Sequence, residues 1–149
     1  MTTLGLGVLD TSAVFSVLEN EAAGSKFLDG LERCNRLTIS ASTLAELSMV
    51  VRIKKGPSAL ALLDDFLTLL GVEALPFDDT QITHFREGLE KYGKGIRPAG
   101  LNFGDLFAYS LAKSLNAPLF FQSLDFRKTD VENAMALLGY DFSAAGEPV

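Results

Sequence analysis

Apolar positions in this chain come in two alternating patterns: short unbroken runs, and longer stretches in which they recur every three or four positions. The first pattern suits a strand buried on both faces, the second a helix with one buried face. Residues 6–9 form the first run, which ends at Asp10-Thr11-Ser12, residue types whose side chains cap helices, so a strand-to-helix junction is expected there. Phe27, Leu28 and Leu31 follow at helical spacing before a second run at residues 37–40. A third helix, capped by Ser42 or Thr43, carries Leu44, Leu47, Val50 and Val51 on one stripe. It stops at Gly56-Pro57, since glycine ends helices and proline cannot continue one. Residues 58–70 repeat the helical period, residues 72–75 make a third strand, and Pro76-Phe77-Asp78 opens another helix. After a glycine-rich, basic loop between Tyr92 and Gly100 come a helix from about Phe103 to Leu115 and a fourth strand at residues 118–121.

Short apolar strands separated by helices, with no hairpin signals, call for an α/β fold whose parallel sheet is covered on both faces. At 149 residues and 48% hydrophobic, the chain has the material for one core, and no linker or repeat divides residues 1–149, so one domain is expected. No apolar run approaches the roughly 18 residues of a membrane span, and no basic stretch precedes residues 4–9, so a cytoplasmic protein with no membrane partner is expected. Cys34 is the only cysteine, which excludes an intramolecular disulfide and a multi-cysteine zinc site.

In a parallel sheet, ligands gather where the strands end. Asp10 ends the first strand, and Glu46 lies in the first turns of the helix that leaves the second. Asp105 is in the first turn of a helix that returns antiparallel into the strand at Pro118, so it starts at the same edge, and Asp125 follows that strand's far end. Four carboxylates together repel unless a cation shares the site. Oxygen donors without His or Cys favour hard ions, so Mg²⁺ or Mn²⁺ is expected and not zinc. Two such ions could split the work of phosphodiester hydrolysis, and one ion with a carboxylate base would also serve.

Each acid also has an ordinary reading. Asp10 could cap the helix at Ser12, Glu46 could be a solvated helix glutamate, Asn102 and Asp105 fit a capping pair, and Asp125 could sit in a turn with Asp130 capping the next segment. Taken singly these readings prevail; the convergence of all four acids on one edge favours the site. The net charge of −6 opposes generic attraction to nucleic acid, although Arg52, Lys54 and Lys55 form one basic group and Arg86, Lys91, Lys94 and Arg97 another. The Lys91-to-Arg97 stretch reads equally as a phosphate-binding strip near Asp105 and as a solvated loop.

The chain resembles the PIN-domain family, and within it the VapC-type toxins of bacterial toxin–antitoxin pairs. The resemblance rests on Val8-Leu9-Asp10-Thr11-Ser12-Ala13, on Ser42-Thr43-Leu44-Ala45-Glu46, and most specifically on the stretch from Arg97 to Asp105 with Ala108-Tyr109 beyond it. Leu124-Asp125-Phe126 and Thr129-Asp130-Val131 look like the family's closing motif. This resemblance implies a three-layer α/β/α fold around a parallel sheet of four to five strands and Mg²⁺- or Mn²⁺-dependent cleavage of RNA. It also implies a homodimer, and inhibition by a cognate VapB-type antitoxin. It makes Asp10, Glu46 and Asp105 the metal-binding core and Asp125 the fourth carboxylate. Thr11, Ser12 and Asn102 are then candidates for orienting ligands or water, and Arg52, Lys91, Lys94 and Arg97 candidates for holding RNA. One departure is Leu124, where relatives often carry an acidic or polar residue, so Asp125 stands alone and Asp130 is the other residue that could complete the set.

Other chemistry fits less well. A Cys34–His84 dyad needs a coincidence of geometry that nothing supports, and His84 reads better as a helix-surface residue. Gly5-Leu6-Gly7 precedes the strand, so it cannot cradle a pyrophosphate as a dinucleotide loop does. Phe15, Phe27 and Phe66 follow helical spacing and suit packing. A haloacid-dehalogenase-like phosphatase needs an aspartate where Ser12 stands, and a receiver domain needs a further acidic neighbour. A noncatalytic PIN-like binding module is the remaining alternative, and retention of all four acids argues against it.

Overall fold

A computed structural model describes the whole chain, Met1–Val149. Strand β1 (Leu4–Leu9) leads into helices α1 (Thr11–Leu18) and α2 (Ala22–Glu32); β2 (Cys34–Ser40) leads into α3 (Ala41–Lys55) and α4 (Ala59–Leu69). Then come β3 (Glu73–Leu75), α5 (Asp79–Tyr92), α6 (Phe103–Leu115), β4 (Leu119–Phe120), a 3₁₀ turn at Leu124–Lys128 and the short α7 (Ala134–Leu137). The sheet has four strands in the order β3-β2-β1-β4, with every pair parallel. No helix is long and apolar enough to cross a membrane.

Because side chains alternate along a strand, neighbours feed opposite faces. Leu9 and Phe120 join a core with Phe27, Ile39, Leu47, Leu63 and Met135 under α1 to α4 and α7, while Val8, Leu119 and Phe121 join Leu106, Tyr109 and Phe126 under α6. Helices thus cover both faces, giving the three layers that the uniformly apolar strands call for. Phe27 is fully buried in the first core, and Phe15 and Phe66 pack at its edge.

Element ends differ from the apolar runs for identifiable reasons. β1 and β2 begin earlier than the runs do because main-chain pairing continues to Leu4↔Cys34, where Gly5, Asn35 and Arg36 face solvent and leave no hydrophobic signal. Helix α3 is capped by Ser40, whose side chain accepts the N–H of Ser42, and not by Ser42 or Thr43. Strand β2 therefore passes into α3 without a loop. β4 is shorter than expected, and the parallel bridge Leu119↔Asn133 stands where a fifth strand would lie.

Candidate active site

Strand order reverses between β1 and β4, since the chain builds β2 and β3 on one side of β1 and then crosses to the other. That reversal opens a crevice at the carboxyl edge of the sheet. Asp10 sits there, 3% exposed, in extended conformation as the N-cap of α1. Its Oδ2 accepts the Ser12 N–H at 3.0 Å and the Ser12 hydroxyl at 2.6 Å. The same Ser12 Oγ accepts the N–H of Gln122 at 2.9 Å, tying the end of β1 to the segment that follows β4. Capping and site-building are one arrangement in this residue. Burial pushes the Asp10 carboxyl up from its ordinary range, and the nearby Glu46 charge adds to that, against the bonds from Ser12.

Glu46 lies in the second turn of α3, and the Thr11 hydroxyl donates to its Oε1 at 3.0 Å. Its carboxylate reaches the start of α6 because position 104 is glycine: a Cβ there would fall within 2.6 Å of the Glu46 carboxyl carbon. Asp105 follows directly, in a reciprocal capping box with Asn102: its N–H donates to Asn102 Oδ1 at 2.9 Å and its Oδ2 accepts the Asn102 N–H at 3.0 Å. Burial, then the charges of Asp10, Asp125 and Glu46, push the Asp105 carboxyl up to about 7 against the cap bond. Asp105 is therefore the acid that feels the other three.

Asp125 is half-buried in the 3₁₀ turn, which is capped by Ser123; the Asp125 N–H donates to Ser123 Oγ at 3.3 Å. Asp130 does not cap the following segment. Asn133 caps α7, while Asp130 turns to α6 and accepts the Tyr109 hydroxyl at 2.9 Å and Lys113 Nζ at 3.0 Å. Burial alone would raise the Asp130 carboxyl, but those two donors bring it below its ordinary value.

None of the chain's ion pairs involves Asp10, Glu46, Asp105 or Asp125. Four acids in a half-buried crevice, two with raised carboxyls and none with a cationic partner, form a donor set of oxygens that suits a hard divalent cation. Their side chains do not close on a single point: each of Asp10, Glu46 and Asp105 turns an oxygen to a local donor, so no three metal-ligating side chains converge.

Among the basic candidates, Lys94 lines a groove with Asn102 and Phe103 at the start of α6, and Arg97 is exposed on the loop leading to Asn102. Lys91 sits on an exposed face of α5 with Thr83, Arg86, Glu87 and Glu90. Arg52 is in the last turn of α3, at the end opposite its N-cap and about 9 Å along the axis from Glu46. A cavity of about 370 Å³ beside α6 is lined by Phe77, Ile82, Phe85, Leu89, Phe103 and Phe107, with Phe103 70% exposed. Cys34 and His84 do not form a pair; Cys34 Sγ donates to the Arg36 carbonyl in β2, and His84, half-buried on α5, lies 3.8 Å from the Glu87 carboxylate. Residue-by-residue reading passed over Gly104 and the Gln122 N–H; Gly104 lies inside the Asn102-to-Asp105 motif, while nothing in the sequence marks Gln122.

Comparison with known proteins identifies the family of the chain. The PIN domain family profile matches residues 7–132. Ribonuclease VapC30 of Mycobacterium tuberculosis is 33% identical over 124 residues, covering 83% of this chain and 95% of the relative. Ribonuclease VapC of Mycolicibacterium smegmatis is 35% identical over 125 residues, covering 83% and 96%. The crystal structure of VapBC2 from Rickettsia felis, bound to a DNA fragment from its promoter, aligns with a TM-score of 0.65 at 25% identity, over 86% of this chain and 96% of that one. The chain belongs to the PIN-domain family, among its VapC-type ribonucleases.

Proposed function

We propose that this chain is the toxin of a VapBC-type pair, a metal-dependent endoribonuclease working as one domain over residues 1–149. Its site is the crevice of Asp10, Glu46, Asp105 and Asp125. The observation that carries the reading is geometric: Asp10 caps α1 at the end of β1, the Glu46 carboxylate reaches Gly104 beside Asp105 at the start of α6, and none of the four acids is paired with a Lys or Arg. Asp10, Glu46, Asp105 and Asp125 are the residues that would hold Mg²⁺ or Mn²⁺. The ion supplies the positive charge and the activation of water that phosphodiester hydrolysis requires. Ser12 and Thr11 orient Asp10 and Glu46, Asn102 fixes Asp105 at the start of α6, and Lys94 and Arg97 meet phosphates flanking the scissile bond. The oxygen of a water bonds to phosphorus as that water gives up a proton, the P–O bond to the leaving nucleotide breaks, and the leaving oxygen takes a proton, so that one water is consumed and no net proton is needed.

The name VapBC in the Rickettsia felis structure supports a cognate VapB-type antitoxin as partner, and the ribonuclease relatives support RNA as substrate; a second copy of the chain, in a homodimer, completes the proposed partners. An apolar segment of the antitoxin suits the groove beside α6, since short partners bury apolar anchors in such grooves. The test is incubation of antitoxin-free protein with structured and single-stranded RNAs in Mg²⁺, Mn²⁺ or EDTA, beside Asp105→Asn. Cleavage that needs the ion and vanishes in the variant is expected. Cleavage that survives EDTA or the substitution sinks the site.

A further inference from the structure

The last nine residues form a closed hairpin beyond the part of the chain that the family profile matches. Ser143 N–H donates to the Glu147 carbonyl at 2.8 Å, Gly146 N–H to the Ser143 carbonyl at 2.9 Å, and Val149 N–H to the Asp141 carbonyl at 2.9 Å; Phe142 and Pro148 pair antiparallel. A hairpin of this size is not stable by itself and needs a surface to hold it. Three contacts do so here. Gln122 Nε2 donates to Glu147 Oε1 at 3.1 Å, the Leu124 side chain occupies the space a Cβ at Gly146 would need, and the Arg127 guanidinium stands 5.8 Å from the centre of the Phe142 ring. Gly146 and Pro148 are buried as a result, and Gly146 has the positive φ of 83° that the turn demands.

Positions 122, 124 and 127 all lie within three residues of Asp125. Gln122 is also the residue whose N–H is held by Ser12, so bonds run from Asp10 through Ser12 and Gln122 to Glu147. Leu124, the position where the chain departs from its relatives, is the residue that seats the hairpin. We propose that the hairpin of residues 141–149 is a brace that sets where Asp125 stands in the site, with Leu124 and Glu147 as positioning residues. The inference rests on reading Asp125 as a metal ligand.

The test is the affinity for Mn²⁺ alone, by calorimetry on the full chain without RNA. It compares Leu124→Ala, Glu147→Ala, Glu147→Gln, Asp125→Asn, Asp105→Asn and the pair Asp125→Asn/Leu124→Ala, with Leu63→Ala as a remote core control. Leu124→Ala and Glu147→Ala should each weaken Mn²⁺ binding by roughly tenfold, the scale seen when a group supporting a ligand is lost. Glu147→Gln, which keeps the acceptor, should bind as the parent does, as should Leu63→Ala below its melting temperature. Adding Leu124→Ala to Asp125→Asn should cause no further loss, because the brace then has nothing to position. Unchanged affinity in both brace variants, or full additivity with Asp125→Asn, overturns the brace alone. Unchanged binding in Asp125→Asn beside lost binding in Asp105→Asn removes Asp125 from the site and the brace with it. Unchanged binding in Asp105→Asn removes the site reading as a whole.

Discussion

The carboxylate of Glu46 rests against the α-carbon of Gly104, in space that any side chain at that position would claim. Gly104→Ala is therefore an unusual glycine replacement. Helix α6 should gain stability from it, by up to about 1 kcal/mol, because alanine is the better helix former. The atoms displaced are the far end of a flexible side chain, so Glu46 turns away at little cost to the fold. RNA cleavage should fall by at least about tenfold while the melting temperature holds or rises, a difference of more than about 1.4 kcal/mol in the barrier. A variant that melts lower and cleaves normally would show that Glu46 does not need this seat.

Ser12 serves three groups with one oxygen, donating to Asp10 and accepting from the N–H groups of Gln122 and Ser123. Ser12→Ala leaves the Gln122 N–H without its acceptor and takes a donor from a buried carboxylate. The expected cost is about 1–3 kcal/mol, read as a lower denaturant midpoint with unchanged slope. Activity should fall too, since Asp10 and the Asp125 segment lose their common tie.

Stability of the metal-free protein should decline with rising pH. Asp105 titrates near 7 when folded, against an ordinary 3.8. Between those values the folded protein keeps a proton that the unfolded chain has released, so the contribution is full below about pH 4 and is lost as pH climbs through about 7. Asp10, also raised, acts in the same sense. Allowing for the partial exposure of Asp105, its share is on the order of 1–2 kcal/mol. Thermal melts in EDTA from pH 5 to pH 8 should show the decline, and Asp105→Asn should flatten it. Mn²⁺ should raise the melting temperature more at pH 8 than at pH 5, because ligation requires the deprotonated acids.

Tyr109, 1% exposed, reaches from α6 to Asp130. Tyr109→Phe keeps the ring that packs against Gly88 and removes only the hydroxyl, so a loss of about 1 kcal/mol is expected. Lys113→Ala should cost less, since the Lys113–Asp130 pair is partly exposed and screened. A larger loss in Lys113→Ala than in Tyr109→Phe would show that the ion pair, more than the tyrosine hydroxyl, secures this segment.

Much of the scaffold can be read from local pattern. Val8, Leu9, Ile39, Leu119 and Phe120 sit in uninterrupted apolar runs because both faces of the sheet are covered, and Asn102 with Asp105 spells out a capping box whose bonds span only three residues. The strand starts at Leu4 and Cys34 were not legible, because pairing there is between backbones and the side chains face water. Ser40 was passed over as a cap because its place at the end of a buried run made it look like the strand's last residue and nothing more.

What the sequence determined by itself is the alternation of buried strands and amphipathic helices, the acids at the strand ends and helix starts, and the local caps, all governed by spacings of a few residues. The resemblance to the family rests on the residue motifs around those acids, from Val8 to Ala13, from Ser42 to Glu46 and from Arg97 to Asp105. Tertiary structure decided the rest: that Asp130 turns to Tyr109 and Lys113 while Asp125 stays in the 3₁₀ turn without an ion-pair partner, that Gly104 makes room for Glu46, and that the last residues fold back on Leu124 and Gln122. These depend on contacts between residues tens of positions apart, and the distance between such residues is set by how the sheet reverses its order at β1, which no local pattern encodes.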